Sequence, residues 1–516
     1  TGAGVNGNVA IGNTNTTSIT LNGLIYSVDG NITLTTATGD TTNHEINITG
    51  GTAGADPFIA TDAGNISFVG GDVELANNSN LTINSNRLAG GSSGNISIAQ
   101  GIDGTSDEDL TITTTSSGSG TISLGPVGQG TFTTAQDGVS EINTFTVTGA
   151  GAITLNGDIQ TSDAANNDVS ITGDVVLTSD GDSAITIDTD STNDGDVTIS
   201  GNVDGTNGTN QDLIIVSGSG NVDIGSIGTT ASTTNVRKIE INKADAKTGT
   251  ITVGNIGASG YAGADGAVLI GGLNSGTVTL DGTIYNFDST VAFQAAAAAG
   301  NKDIKFTGAS PTVKSSDDTI TFETGKVYLD NGTTTIESNG ALITLTEVRG
   351  NTTGKDEKLV VDAGSTATDA QISAAAIGAD LSISHITLDG VDGVTLNGAI
   401  KTASQTGANL TVTGDVTLGA DITITTDTTG TDGAITFNDK IDGGQSLTLT
   451  SGSGAIKLQG AVGGTGTGLT GLSINETAET GAIEIANVGA GTTVGVTGTT
   501  AIGNSATTKL TLDGTI

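Results

Sequence analysis

The chain has 516 residues, of which 55 are acidic and 16 basic, for a formal net charge of −39; 34% are apolar, 3% aromatic, 81 are Gly and none is Cys, Met or Trp. The absence of Cys excludes disulfides, thiolate nucleophiles and thiolate metal sites. So few Lys and Arg leave no footprint for nucleic acid or an anionic membrane, and there is no run of 18 apolar residues to span a bilayer as a helix. A thick globular core is excluded by the thin apolar share, and collagen by the lack of a strict three-residue Gly period.

Along the chain one short unit recurs, apolar-x-apolar-x-Gly-x-apolar. It stands at Ile19–Ile25, Ile46–Gly50, Ile66–Gly70, Ile96–Ile102, Ile122–Val127 and Ile153–Ile159, then at Val169–Val175, Val197–Val203, Val222–Ile227, Ile251–Ile256 and Val278–Ile284. Late in the chain it starts again at Ile456, Ile483 and Leu510, with an even spacing. The step, roughly 20–30 residues, lies in the range of solenoid repeats. Period-2 alternation buries one face of a short strand, and β-branched residues suit that face. The Asn-Gly or Asp-Gly that follows (Asn22-Gly23, Asn156-Gly157, Asp281-Gly282, Asn397-Gly398, Asp513-Gly514) is expected to take positive φ and turn the chain through a corner. The arm after the Gly is too short for most hairpins, so antiparallel sandwich arrays are the rival reading rather than the first. The alternation also argues against disorder. The alanine runs Ala295–Ala299 and Ala374–Ala376 read as single helical turns in loops, and Pro57 and Pro311 fall between rungs, where a missing N–H does no harm.

A longer repeat overlies the short one. Residues 9–26 match 268–285, residues 500–516 match 268–284, 169–177 match 410–418, and 217–228 match 451–462. The chain therefore reads as two diverged blocks of solenoid coils, residues 1–259 and 260–516. Both termini fall inside the repeat, as expected of a window of a longer array.

The densest acidic cluster is Asp180, Asp182, Asp188, Asp190, Asp194 and Asp196. Carboxylates spaced along loops suit Ca²⁺, which takes six to eight oxygen ligands, so Asp188, Asp190, Asp194 and Asp196 are the candidate calcium ligands; solvated turns are the simpler reading. The spacing is not that of an EF-hand. In the second block Asp190 and Asp194 fall on Asp427 and Asp432. His44 and His385 stand alone at unrelated rung positions and read as surface residues. Many Asn-x-Ser/Thr triplets occur, including those at Asn31, Asn47, Asn65, Asn80, Asn95, Asn331 and Asn409; they read either as glycosylation acceptors or as a by-product of strand chemistry. No catalytic set and no organic cofactor is indicated.

Strings such as ITLNGDIQTS, VSITGDVVLTSDG, LTVTGDVTLGADITI and VTLDGTIYN resemble the repeat region of large secreted exoproteins of the filamentous-haemagglutinin type. The resemblance covers nearly all of the chain and implies a right-handed β-helix, an extracellular or cell-surface location, and no catalytic residues. The fold expected is all-β, a long parallel β-solenoid with coils of about 20–30 residues. The function expected is structural: a repeat segment or subunit of a filament, sheath or surface layer that associates with itself. The alternatives are the stalk of an adhesin, with cell-surface carbohydrate as partner, and a carbohydrate-active β-helix enzyme.

Overall fold

The fold is described from a computed structural model. It describes residues 4–38, 45–50, 56–76, 79–88, 92–105, 107–114, 119–128, 142–162, 166–178, 184–190, 193–206, 211–244, 247–297, 303–351, 356–364, 369–403, 407–427, 431–464, 467–490 and 495–514. These contain strands and no helix, and the chain divides into two compact units, Thr1–Gly266 with Ile270–Ser275 and Ala267–Leu269 with Gly276–Ile516.

In the first unit each coil contributes to three parallel ladders. One stacks Val9–Gly12, Ile32–Thr35, Ile66–Val69, Ile96–Ile98, Ile122–Leu124, Ile153–Leu155 and Val175–Leu177. The second stacks Ser18–Leu21, Glu45–Thr49, Asp72–Ala76 and Ile102–Gly104. It continues through single bridges at Val127 and Ile159 to Ala184–Asp188, Asp212–Val216 and Lys238–Ile241. The third stacks Leu24–Ser27, Phe58–Thr61, Leu81–Asn84, Glu108–Thr114, Ile142–Gly149 and Val169–Thr172. The chain is thus a parallel β-solenoid, as the alternation predicts, and the coil is three-sided.

The Gly of the repeat unit is the corner. Val197–Asp204 pairs through Val197 and Ile199 on one side and, after a register shift between Ile199 and Asn202, through Val203 on the next. Like residues therefore stack in columns: Ile66, Ile96, Ile122, Ile153, Val175, Val203, Ile227 and Ile256 are each at most 1% exposed. The second unit repeats the plan, for example through Ile284–Phe287, Thr312–Ser315, Thr333–Glu337, Lys358–Asp362, His385–Asp389 and Leu410–Thr413. Its early coils carry an aromatic core instead: Tyr285, Phe287, Phe293, Phe306 and Phe322 are buried, with ring centroids 5.2 to 6.4 Å apart. The Tyr285 hydroxyl accepts the Gly282 N–H at 2.7 Å, and burial pushes its pKa far up.

Coil length varies more than the periodicity suggests. Val327 finds its partner in the next coil at Val348, whereas Leu110 finds its own in the next coil only at the much more distant Phe145. The extra residues of the long coils fall between the strands in the sequence, and the ladders resume beyond them.

Two local expectations need correction. Of the five Asn-Gly and Asp-Gly glycines only Gly23 takes positive φ, at 129°. Gly157 and Gly398 are required instead by close approach: a Cβ there would lie 2.6 Å from the Pro126 ring and 2.5 Å from the Ala376 nitrogen. Nor does Ala374–Ala376 form a helical turn, because Ala374 ends the strand Gln371–Ala374 and the Val348 N–H donates to the Ala376 carbonyl at 2.9 Å. Ala298 and Ala299 of the other run lie outside the described residues.

A second kind of corner, which the repeat unit does not include, precedes many rungs. It reads Gly-Asx-apolar. The amide oxygen of Asn31 accepts the N–H of Asn65 at 2.8 Å, that of Asn65 the N–H of Asn95 at 2.8 Å, and that of Asn95 the N–H of Thr121 at 2.9 Å. Beside this column runs one of glycines, in which a Cβ on Gly64 or Gly94 would stand 2.0 Å from the carbonyl oxygen of the Gly below. A buried hydroxyl closes each corner: Thr61 donates to the Gly64 carbonyl and Ser85 to that of Gly94, each at 2.6 Å.

Candidate functional site

The predicted calcium ligands lie around one such corner in the first unit. Asp188 ends the strand Ala184–Asp188, and its Oδ1 accepts the Asp190 N–H at 2.9 Å. Burial pushes its pKa up against the pull of Lys247. Asp190 carries the ammonium of Lys247, a side chain only 11% exposed. Asp194 Oδ2 accepts from Ser219, from its N–H at 2.7 Å and its hydroxyl at 2.6 Å. Asp196 belongs to the Asx column: its N–H donates to Asp168 Oδ1 at 2.8 Å and its Oδ1 accepts the Asn221 N–H at 2.6 Å. The fold therefore brings Asp190 and Asp194 together over Gly218, where an added Cβ would lie 2.5 and 2.3 Å from their Oδ1 atoms, and it gives Asp196 to the neighbouring column. Asp180 and Asp182 lie outside the described residues. Among the described residues no group of three or more His, Cys, Asp or Glu is gathered closely enough to hold a metal ion unaided.

The second unit rebuilds this corner. Asp432 Oδ2 accepts the Ser453 N–H at 2.7 Å and its hydroxyl at 2.8 Å, and a Cβ on Gly452 would lie 2.4 Å from Asp432 and 2.7 Å from Asp427. Thr189 and Thr426 each donate to the carbonyl of the corner glycine, Gly195 and Gly433, at 2.6 Å. Asn242 and Asn475, both with positive φ, accept the N–H of Ser217 and Ser451 at 2.8 Å. Burial and the charges of Asp432 and Glu479 push the Asp427 pKa up. Lys247, invisible as a partner in the sequence because it lies 57 residues from Asp190, is the residue that sequence reasoning missed.

A second set of buried side-chain oxygens, from Glu and Gln, caps loops. Glu108 Oε2 accepts the Thr105 N–H at 2.9 Å, and Gln211 Oε1 accepts that of Thr206 at 3.2 Å. Glu357, fully buried at the matching place, has its pKa pushed up by burial against the pull of the N–H groups of Glu357 and Asn351.

Basic side chains are drawn into pairs. Tyr328 lies in register between Lys305 and Arg349, whose cationic groups stand 5.8 and 5.4 Å from its ring centre. Arg349 also pairs with Asp303 and, at 3.6 Å, with Asp380, and Lys326 pairs with Glu347 at 3.0 Å. His385 Nδ1 is 3.1 Å from the Gly407 carbonyl, and His44 lies outside the described residues. A cavity of about 430 Å³ on the first unit is lined by Ile214, Ile215, Val216, Glu240, Lys243 and Ala244 and is mostly apolar.

Five of the Asn-x-Ser/Thr triplets now have a structural account. Asn31, Asn65, Asn80, Asn95 and Asn409 each use the amide oxygen to accept an N–H one coil further on. Strand neighbours are about 4.8 Å apart, which leaves no room for a sugar on every member of such a column.

Comparison with family models, curated proteins and solved structures finds no match to the chain.

Proposed function

We propose that this chain is a structural protein of the cell exterior, a repeat segment or subunit of a surface filament, sheath or layer that associates with itself. The observation that carries this reading is the continuity of the parallel ladders within each unit: the strands pair again beyond the long coils, with a local register shift between Glu108 and Leu110, and the columns of Ile and Val continue through them. Outward positions are mostly Thr, Ser, Asn and Asp, which with the net charge of −39 suits an exposed surface that resists non-specific aggregation. The resemblance to filamentous-haemagglutinin-type exoproteins points the same way, and it also supports the stalk of an adhesin as a second reading.

Antibody labelling of intact cells, with and without external protease, tests the location: signal that appears only after permeabilisation overturns the proposal. Electron microscopy of native material separates the two readings. An ordered polymer of this chain supports filament or layer, whereas single molecules flanked by unlike domains support the stalk.

A further inference from the structure

We propose that Asn331 and Asn6 are sites of spontaneous deamidation, where asparagine becomes aspartate or isoaspartate, and that contacts between coils shield the other described Asn-Gly pairs from the same reaction. This inference does not rest on the proposed structural role.

The sequence carries seven Asn-Gly pairs, at Asn6, Asn22, Asn156, Asn207, Asn331, Asn339 and Asn397. Asn207 lies outside the described residues. A glycine after asparagine leaves the next backbone nitrogen uncovered and its dihedrals free, so that nitrogen can reach the side-chain carbonyl carbon. The new C–N bond closes a five-membered imide. The side-chain nitrogen leaves as ammonia and takes the proton of the peptide nitrogen with it. Water then opens the ring at either carbonyl, giving aspartate or a backbone routed through the side chain. One water is consumed, one ammonia is released, and no other reactant is needed.

All six described asparagines are exposed, so exposure does not sort them. Contacts across coils do. The Asn22 amide oxygen accepts the Thr49 hydroxyl. Asn156 is held at both ends: its oxygen accepts the Thr178 hydroxyl, and its nitrogen donates to Ser123 Oγ at 3.2 Å. Asn339 donates to Asp317 Oδ1 at 2.9 Å, and Asn397 to Ser373 Oγ at 3.3 Å. Gly157 and Gly398 are also wedged against the coil below, at Pro126 and Ala376.

The side-chain amides of Asn331 and Asn6 make no such bond among the described residues. Asn331 stands in the turn between the strands Lys326–Leu329 and Thr333–Glu337. Gly332 has a φ of 65°, and the closest atom to an added Cβ there belongs to a movable side chain, that of Ser310. Around Gly7 nothing lies within 4 Å of an added Cβ. Where a side-chain hydrogen bond must break before the ring can close, the reaction slows by up to about tenfold, and a backbone wedged against its neighbour slows it further.

The test is peptide mapping of the folded full chain after incubation at pH 8. Mass spectrometry reads the gain that marks replacement of the side-chain NH₂ by OH, and chromatography separates the aspartate and isoaspartate products. The same incubation in urea is the reference. In the folded chain Asn331 and Asn6 should convert at least tenfold faster than Asn22, Asn156, Asn339 and Asn397, and in urea the six rates should converge. Thr49→Val, which removes the hydroxyl from Asn22, should bring Asn22 up towards the rate of Asn331. Equal rates for all six in the folded chain, an Asn331 as slow as Asn156, an order of rates that persists in urea, or an Asn22 that stays slow in Thr49→Val would each overturn the proposal.

Discussion

The amide oxygen of Asn65 accepts the backbone N–H of Asn95, 30 residues later, at 2.8 Å. Parallel coils leave backbone groups unpaired where the chain turns from one ladder to the next, and this side chain satisfies one of them. Asp168 and Asp196 make the same bond, so the oxygen matters and the amide nitrogen does not. Asn65→Asp is expected to be nearly neutral. Asn65→Leu should cost about 1–3 kcal/mol through an unsatisfied N–H, read as a lower urea midpoint at unchanged slope.

Gly94 sits beneath a different constraint. Its φ is not in the left-handed region, but a Cβ would stand 2.0 Å from the carbonyl oxygen of Gly64, and backbone cannot yield as a side chain would. Gly94→Ala should destabilise by about 1–3 kcal/mol. Gly260→Ala is the control, since nothing lies within 4 Å of its would-be Cβ; equal denaturation midpoints for the two variants would contradict the steric account.

Glu357 makes stability depend on pH. Burial raises its pKa in the folded chain, so the folded state binds the proton more tightly than the unfolded one. The stabilisation is fully present below the unfolded value, about 4.3, and is lost as pH rises through the higher folded value. Gln211 closes a similar loop in the first unit without a charge, its Oε1 accepting the Thr206 N–H at 3.2 Å. Glu357→Gln is therefore expected to raise the melting temperature at neutral pH, with the gain shrinking as the pH falls into the ordinary carboxyl range. A gain that is the same at pH 4 and pH 8 would count against this assignment.

The aromatic core makes the early coils of the second unit sensitive to truncation. Phe293 is fully buried, stacks on Phe322 at 5.2 Å and meets Phe287 edge-on at 6.3 Å. Phe293→Ala should cost about 3–5 kcal/mol and Phe293→Leu distinctly less, measured by chemical denaturation. Hydrogen exchange should show the loss first in the coils around Val291–Gln294 and Ile320–Thr324, which pair directly through Phe293 and Phe322.

What the sequence determined by itself was the coil. Ile-x-Leu and Val-x-Ile alternation points to a half-buried strand, and its even return at Ile456, Ile483 and Leu510 favours stacked coils over antiparallel sandwiches, because period and burial are local properties of the chain. The Asp190–Asp427 and Asp194–Asp432 correspondences were legible for the same reason. What only the tertiary structure decided was which side chains meet across coils. Asn65 read either as a glycosylation acceptor or as a by-product of strand chemistry, and only the winding sets its oxygen under the N–H of Asn95 and sets Gly64 over the Gly30 carbonyl. Lys247 looked like one basic residue among 16 until the winding carried it to Asp190. Contacts of this kind depend on the summed length of the intervening loops. Those lengths vary from coil to coil, so sequence spacing carries no fixed signature of the partner.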